Sequence, residues 1–584
     1  MLDLLRAIWV ILTFVGLFFW LPSRLFHDRA YSEWALQVGG RFARTVVAIT
    51  LFVPLLAGLK VFNTVTVFLL LGTLIAGFWM RKHARQRRGW AKELQQSVIT
   101  LIRRAEGRPS DNGRALLNLG PRGARWNPWY GTVAGEGALV GCLMLILATT
   151  CALHFQAAYQ GLRLDDPEEY GCLLRGRELL LNMHAWQRPM IVPAVIATTS
   201  LFSSTDPMQV TRFLSPLLEV FAVVSTWLLL RTCTGSSLGA LAAMYCFGTA
   251  ALPTLAGDAP VPVTLLEKLS SALRIAPETI PANKEFEIGL IFLLMGIAFL
   301  ADWQRNSRSW SCLLDFACSS VLVALVSQCL FFILVVAAGG VLLWSALGPL
   351  LTSLTSYVLV AFATLYGGPH IQEETRLLLP LAASLAVGCL LALLELTLSQ
   401  LIGRRGQTVL LVVTVVGAVL WFHPQPLKAQ FVEYEAAARE TQVIASDFPR
   451  QKWIVVAPTE QLAETLGLGG HEDLCEFVER YESVAGSRDF RFPEARVNLF
   501  VYVEKRPFRV FDHEPKNVPS SVLSDITYRN YRSPAGRASV ESAALRLCEE
   551  YRRSHDDADI FFDDDNLRIY HFRPWSIPAA GKEE

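Results

Sequence analysis

Charge is what this sequence has least of. Asp, Glu, Lys and Arg make up 18% of its 584 residues, where a soluble domain carries about 25%. Hydrophobic residues make up 52%, and mean hydropathy is +0.35. The scarcity is uneven: residues 1–422 hold long apolar runs, whereas 423–584 reads as ordinary globular sequence. No cleavable signal peptide is evident. Leu4 to Leu21 ends in Pro22-Ser23-Arg24 without a small-residue cleavage pattern, so it reads as a first span. The eleven cysteines form no CxxC pair and no zinc spacing. Most sit in apolar runs, where a thiol behaves as a small hydrophobe. Cys475 and Cys548 fall in the C-terminal part and have the chance to pair there if it is exported. No alternating ten-residue pattern occurs, which argues against a barrel.

Twelve apolar segments are predicted as spans: 4–21, 45–61, 63–80, 137–155, 211–231, 237–254, 286–302, 311–327, 329–346, 350–366, 376–399 and 407–422. Each is near the ~20 residues that cross a bilayer core as a helix. The runs 45–80 and 311–346 are split at Lys60 to Asn63 and at Gln328. Sidedness follows from Lys and Arg. Arg81, Lys82, Arg85, Arg87, Arg88, Lys92, Arg103, Arg104, Arg108, Arg114, Arg122 and Arg125 crowd one segment with few acids, which places it in the cytoplasm. Alternation then makes Arg231, Arg305, Arg308, Arg404 and Arg405 cytoplasmic too, so independent basic turns agree. The same alternation exports loops 156–210, 255–285 and 367–375 and the whole of 423–584. A basic segment also suits nucleic acid, but a topogenic segment facing lipid headgroups explains it without that partner.

The expected fold is therefore a polytopic α-helical membrane protein of about twelve spans with a small C-terminal α/β domain. It divides into a three-span extension (1–80), a basic cytoplasmic segment (81–136), a transmembrane core (137–422) and an exported α/β domain (423–584). The expected location is the cytoplasmic (inner) membrane, multi-pass, with the C-terminal domain on the periplasmic or extracellular side. Within the spans, Glu219, Asp315 and Glu395 each cost about 2.5–3.5 kcal/mol in hydrocarbon. They are expected to face the bundle interior or a wet cavity.

Loop 156–210 is too long for a connector. It holds Leu164-Asp165-Asp166-Pro167-Glu168-Glu169-Tyr170, an amphipathic stretch Gly171 to Met183, then His184-Ala185-Trp186-Gln187-Arg188-Pro189. The apolar run Met190 to Phe202 is short and contains Pro193, so an interfacial position is expected. Four carboxylates at the mouth of a span have two readings. One is catalytic: such a carboxylate takes a proton from an acceptor hydroxyl, and a pair holds a divalent metal. The other is a helix start, with Asp166 capping, Pro167 first and acids in the first turn. Both hold together if the cap fixes the catalytic group in place.

This order of features resembles the GT-C glycosyltransferases, and most closely the bacterial branch of aminoarabinose transferases and protein O-mannosyltransferases. Asp165-Asp166 matches the acidic pair of their first exported loop, and Arg188-Pro189-Met190 partly matches a Pro-Pro-Leu-Tyr-like segment. Thr211-Arg212-Phe213-Leu214-Ser215-Pro216 is similar to a span that begins Arg-Leu-Pro, and Arg376-Leu377-Leu378-Leu379-Pro380 to a late Arg-Tyr-Leu-Leu-Pro. Ser327-Gln328-Cys329 stands where the family turns at Thr-Lys-Gly-Pro, and lacks the Lys. The likeness covers about 137–422.

The resemblance implies a polyprenyl-phosphate-linked sugar as donor, with its tail in membrane lipid, and a glycan, lipid or protein as acceptor. It implies Asp165 or Asp166 as the base, Asp166 being favoured because it sits next to the helix start. The leaving lipid phosphate calls for cations, and Arg188, Arg212, Lys284 and Arg376 are the candidates. Each reads equally as an interfacial anchor. Glu168, Glu169, His184, Glu285 and His370 are accessory candidates. A divalent metal is compatible with this chemistry but no ligand set is apparent. Two other readings stay open: a non-catalytic assembly subunit with a degenerate core, and a transporter of lipid-linked glycans.

In the C-terminal part, Trp453 to Ala457 and Val497 to Val503 read as strands, and Thr459 to Leu466, His471 to Tyr481 and Ser539 to Arg553 as helices. Ile560 to Phe562 and Leu567 to Phe572 read as a hairpin. The run Asp563 to Asp565 lacks EF-hand spacing and reads as a solvated turn. Gly467 to Gly470 is followed by no Gly-Lys-Ser/Thr, so it is no phosphate loop. No nucleophile–base motif is present.

Overall fold

The computed structural model describes residues 2–25, 34–67, 69, 136–160, 167–183, 190–248, 284–305, 310–343, 369–399, 404–421, 433–458, 461–505 and 534–575. Helix dominates as far as Trp421. The elements are α1 (Leu2–Val15), running through a π-helical turn (Gly16–Trp20) into α2 (Leu21–Leu25), then α3 (Trp34–Gly58), α4 (Glu136–Gln160) and α5 (Pro167–Leu180). They continue as α6 (Ile191–Ser203), α7 (Pro207–Thr234), α8 (Ser237–Gly248), α9 (Lys284–Arg305), α10 (Trp310–Val326), α11 (Gln328–Leu343), α12 (Pro369–Ser399) and α13 (Arg404–Trp421). Five helices are long and apolar enough to cross a membrane: Leu4–Ser23, Ala35–Gly58, Ala138–Phe155, Pro207–Thr234 and Glu285–Gln304. Expected spans 350–366 and most of 63–80, and the basic segment 81–125, lie outside the described residues.

Both expected splits occur, for identifiable reasons. After α3 the chain turns at Lys60, whose φ is 58°, and Asn63 caps the next helical stretch by accepting from Thr66 N–H at 2.8 Å. Between α10 and α11, Ser327 leaves the helix and its hydroxyl accepts from Cys329 and Leu330 N–H at 3.1 and 3.3 Å. Pro193 does not break the run Met190 to Phe202. Pro193 is the third residue of α6, in the first turn, where no intrahelical N–H is needed. It helps to start the helix rather than to break it, and α6 is buried along most of its length against other helices.

α7 and α9 form the centre and are buried over most of their length, while α1 and α4 are mostly open on the outside. Phe42 of α3 stacks on Phe19 and Phe292 at 5.1 and 5.5 Å and also meets Phe14, Phe18 and Phe221. The N-terminal helices therefore share one core with α7 and α9. α8 and α12 approach until Gly239 and Gly388 touch: a Cβ on Gly239 would lie 2.3 Å from the Gly388 carbonyl. Small residues at a helix crossing of this kind let backbones pack by direct contact. Outward rows such as Leu4, Ile8 and Leu12 on α1, or Val409, Val413 and Leu420 on α13, are apolar and exposed. Such surfaces are compatible with lipid and poorly suited to water.

The C-terminal domain contains α14 (Glu433–Asp447), β1 (Trp453–Ala457), α15 (Leu462–Thr465), β2 (Gly470–Asp473), α16 (Leu474–Tyr481), β3 (Asn498–Glu504), α17 (Pro534–Ser554), β4 (Ala558–Asp563) and β5 (Leu567–Phe572). The sheet order is β2-β1-β3-β5-β4. β1 is parallel to both its neighbours, and β5 is antiparallel to β3 and β4. Alternation along β3 sends Leu499, Val501 and Val503 to the face covered by α16 and α17, and Phe500 and Tyr502 to the face covered by α14. The expected helix at His471 begins at Leu474, because Gly470–Asp473 pairs with β1 as a strand and Asp473 caps α16. The run from Asp563 is a turn: Asp564 accepts from Asn566 and Leu567 N–H at 2.8 and 2.6 Å. Cys475 and Cys548 are both free thiols.

Candidate functional site

α4 ends at Gln160 and α5 begins at Pro167, so Asp165 and Asp166 belong to the six residues that join the two helices. Those six, and His184 and Arg188, lie outside the described residues. Glu168, Lys284, His370 and Arg376 are helical in backbone, and their side chains lie outside the described ones. α12 begins at Pro369, so Arg376 sits two turns inside its helix rather than at the start. Arg212, Glu169 and Glu285 are described in full.

Arg212 is buried on α7 and points back at α4. Its Nε donates to the carbonyl of Ala158 at 2.5 Å, two residues before α4 ends. Its Nη1 reaches Gln209 Oε1 at 3.4 Å, and its guanidinium lies 5.0 Å from the Phe213 ring centre. One turn on, the Ser215 hydroxyl donates to Glu169, a buried carboxylate of α5. Arg212 and Glu169 thus fix the ends of α4 and α5, one on each side of the segment that carries the acid pair. Pro216 has no N–H to give to the Arg212 carbonyl, which leaves α7 locally open at this point.

Glu285 works differently. Its carboxylate accepts from Ile191 and Val192 N–H at 3.3 and 2.8 Å. Met190 supplies no side-chain cap to α6. Glu285 therefore caps α6 from another helix, where the positive end of the helix dipole favours a carboxylate. It brings the start of α9, and Lys284 with it, beside the residues that follow Arg188.

Arg177 and Asp206 are partners that the spacing of residues did not reveal. Arg177 Nη2 lies 2.8 Å from Asp206 Oδ1, and Asp206 caps α7 by accepting from Met208 N–H at 2.9 Å. Arg177 Nη1 also donates to the Leu466 carbonyl at 3.1 Å. Leu462, Ala463 and Leu466 pack on Tyr170, Leu173, Leu174 and Met208. Gly467, at φ +83°, lets the chain pass closely over Leu181. The C-terminal domain is thus fastened to α5, the helix that opens directly after Asp166. Beside this contact, burial drives His471 down to about 4, so its ring is neutral near pH 7. The neutral ring lies 3.3 Å from the Pro458 carbonyl.

The three acids expected inside the bundle all meet partners from other helices. Asp315 takes Arg44 in a two-pronged pair. Glu395 accepts from Leu238 N–H at 3.0 Å and from the Ser236 hydroxyl, capping α8. Glu219 meets His154, a histidine inside an apolar run that the sequence reading did not single out. Among the described residues no group of three or more His, Cys, Asp or Glu is arranged to hold a metal ion. No protein-family model matches this sequence, and no curated protein matches it.

Proposed function

We propose that this chain is a multi-pass membrane glycosyltransferase. It moves a sugar from a polyprenyl-phosphate donor to an acceptor on the exported face, with Asp165 or Asp166 as the general base. In this reading the chain crosses the cytoplasmic membrane about twelve times, with 81–125 in the cytoplasm and the C-terminal domain outside. One observation carries it: the described ends of the apolar α4 and the buried α5, between which the acid pair lies in sequence, are both fixed. Arg212 holds Ala158 on one side and Ser215 holds Glu169 on the other.

A base must keep its position relative to the acceptor hydroxyl to within a fraction of an ångström. Anchored flanks meet that need better than an unsupported loop. The departing lipid phosphate gathers negative charge and is stabilised by nearby cations. Arg212 supplies a guanidinium at the α4 end, and Lys284 and Arg188 are the further cation candidates by sequence. The C-terminal domain, fastened to α5, orients the acceptor side.

The test is transfer by the purified full chain from a panel of polyprenyl-phosphate sugars. Wild type turns over at least one donor, and Asp166→Asn or Asp165→Asn lowers turnover by about 10²–10⁴-fold, the range for a lost general base. Wild-type protein that binds a lipid-linked sugar yet transfers from none would overturn the proposal.

A further inference from the structure

A second polar site lies deeper, between α4 and α7, away from the acid pair. Arg212, Ser215 and Glu219 fall within one narrow stripe of α7 at spacings of three and four residues, the periodicity of a single helix face. Opposite them on α4 stand Ala158 and, one turn earlier, His154. From Arg212 to Glu219 the stripe advances about 10 Å along the axis. Glu219 is the thirteenth residue of the 28-residue α7, so the stripe ends near the middle of the helix. An ionisable pair at that depth of an apolar bundle is costly and calls for a role.

Both ring nitrogens of His154 lie against polar groups of other helices. Nε2 lies 3.1 Å from the Gly248 carbonyl. A carbonyl can only accept, so Nε2 carries a hydrogen. Gly248 is the last described residue of α8. Nδ1, the nitrogen left to titrate, lies against the Glu219 carboxylate. With one proton between them the pair is neutral overall, as imidazole with carboxylic acid or as imidazolium with carboxylate. Without it a net negative charge stays among apolar helices. Both side chains are partly accessible, at 16% and 25%, so the pair is not sealed inside the bundle.

We propose that His154 and Glu219 form a proton-binding site halfway along the helical core, holding one exchangeable proton between Nδ1 and the carboxylate. The proposed transfer chemistry gives this pair no role. Other titratable groups on the elements packed against α4 and α7 include Arg6 on α1, Cys151 on α4, Glu169 and Arg177 on α5, Arg212 and Arg231 on α7, Tyr245 and Cys246 on α8, Glu285, Glu287 and Asp302 on α9, Glu395 on α12, and Arg404 and Arg405 on α13. Of these, Arg212 is turned to Ala158, Arg231 to Gly235 and Ser237, Glu169 to Ser215, and Tyr245 to the Ala418 carbonyl.

The test is nitrogen NMR of the full chain in lipid with labelled histidine, the His154 signals being assigned by their loss in His154→Gln. The Nδ1 signal is expected to respond to exchange of H₂O for D₂O, to shift in Glu219→Gln, and to stay put in Glu178→Gln. A His154 Nδ1 signal identical in wild type and Glu219→Gln would overturn the proposal. If Glu219→Gln does not fold, wild type decides alone: an isotope response at Nδ1 supports the site, and a bare Nδ1 without one across the accessible pH range contradicts it.

Discussion

In the helical core Asp315 meets Arg44, and Glu395 meets the start of α8; in the C-terminal domain Glu504 meets Arg537 at 2.5 and 3.0 Å, and Glu541 accepts from Glu504 N–H at 2.9 Å. The two regions bury charge by the same rule, each acid joining two elements. They differ in what they show outside. The core presents rows of exposed Leu, Val, Phe and Trp on α1, α4, α10, α11 and α13, whereas among the described residues of the domain only Val484 and Ile560 are large, apolar and exposed. They differ inside as well. The core gains contact by backbone approach at Gly239 and Gly388, while the domain fills its interior with rings such as Phe477, Phe492, Tyr551 and Phe572. The exterior thus identifies the solvent each region suits, and the buried ion pairs say nothing about it.

The largest expected effect breaks the core and spares the domain. Gly239→Leu forces a side chain against the Gly388 carbonyl, so α8 and α12 must separate. Little monodisperse protein is expected on size-exclusion chromatography, while a separately expressed 433–575 fragment, if it folds, is untouched. Next comes charge, where the two regions should agree. Asp315→Ala leaves Arg44 buried without its carboxylate, and Glu504→Ala does the same to Arg537, each costing about 3–5 kcal/mol. Replacing both partners, as in Arg44→Met with Asp315→Leu, should restore most of the loss. Thermal unfolding of each single and double variant checks this, and a double variant as weak as the single would show that the pairs do more than neutralise each other.

Arg177→Met sharpens the comparison by separating the regions. It removes the bond to Leu466 and the pair with Asp206, a loss of about 1.5–3 kcal/mol. Calorimetry should then show the domain melting apart from the core, where wild type shows the two together. The last effect is one of pH and is confined to the domain. Burial lowers His471 from 6.5 to about 4, so the unfolded chain takes the proton first. Stability is complete above pH 6.5 and falls as pH drops towards about 4. His471→Gln keeps a donor for Pro458 but does not titrate, so its stability should be flatter than wild type over that window.

Much of this architecture was legible in sequence. Apolar length found helices among the described residues, five of them long and apolar enough to cross a membrane, because a long apolar run satisfies its backbone internally as a helix. β1 was read to the residue from its buried β-branched run. Boundaries failed where tertiary partners extend a helix beyond its apolar stretch: α3 reaches back at least to Trp34, where Arg44 finds Asp315 and Phe42 finds a ring cluster. β2 was invisible, since Gly-His-Glu-Asp has little strand character and holds only by pairing with β1. At the candidate site, the acids and Arg212 announced themselves by type and position. Arg177, Asp206 and Ser215 did not, because their roles come from contacts between segments far apart in the chain.

Everything functional rests on direction: the acid join and the C-terminal domain must lie on one side, and the basic segment on the other. The direct measurement is epitope accessibility in intact cells, with one tag inserted within 81–125 and another after Glu584. The account predicts that an impermeant antibody reaches the second tag in intact cells and the first only after permeabilisation. Both tags becoming accessible on the same side would contradict it.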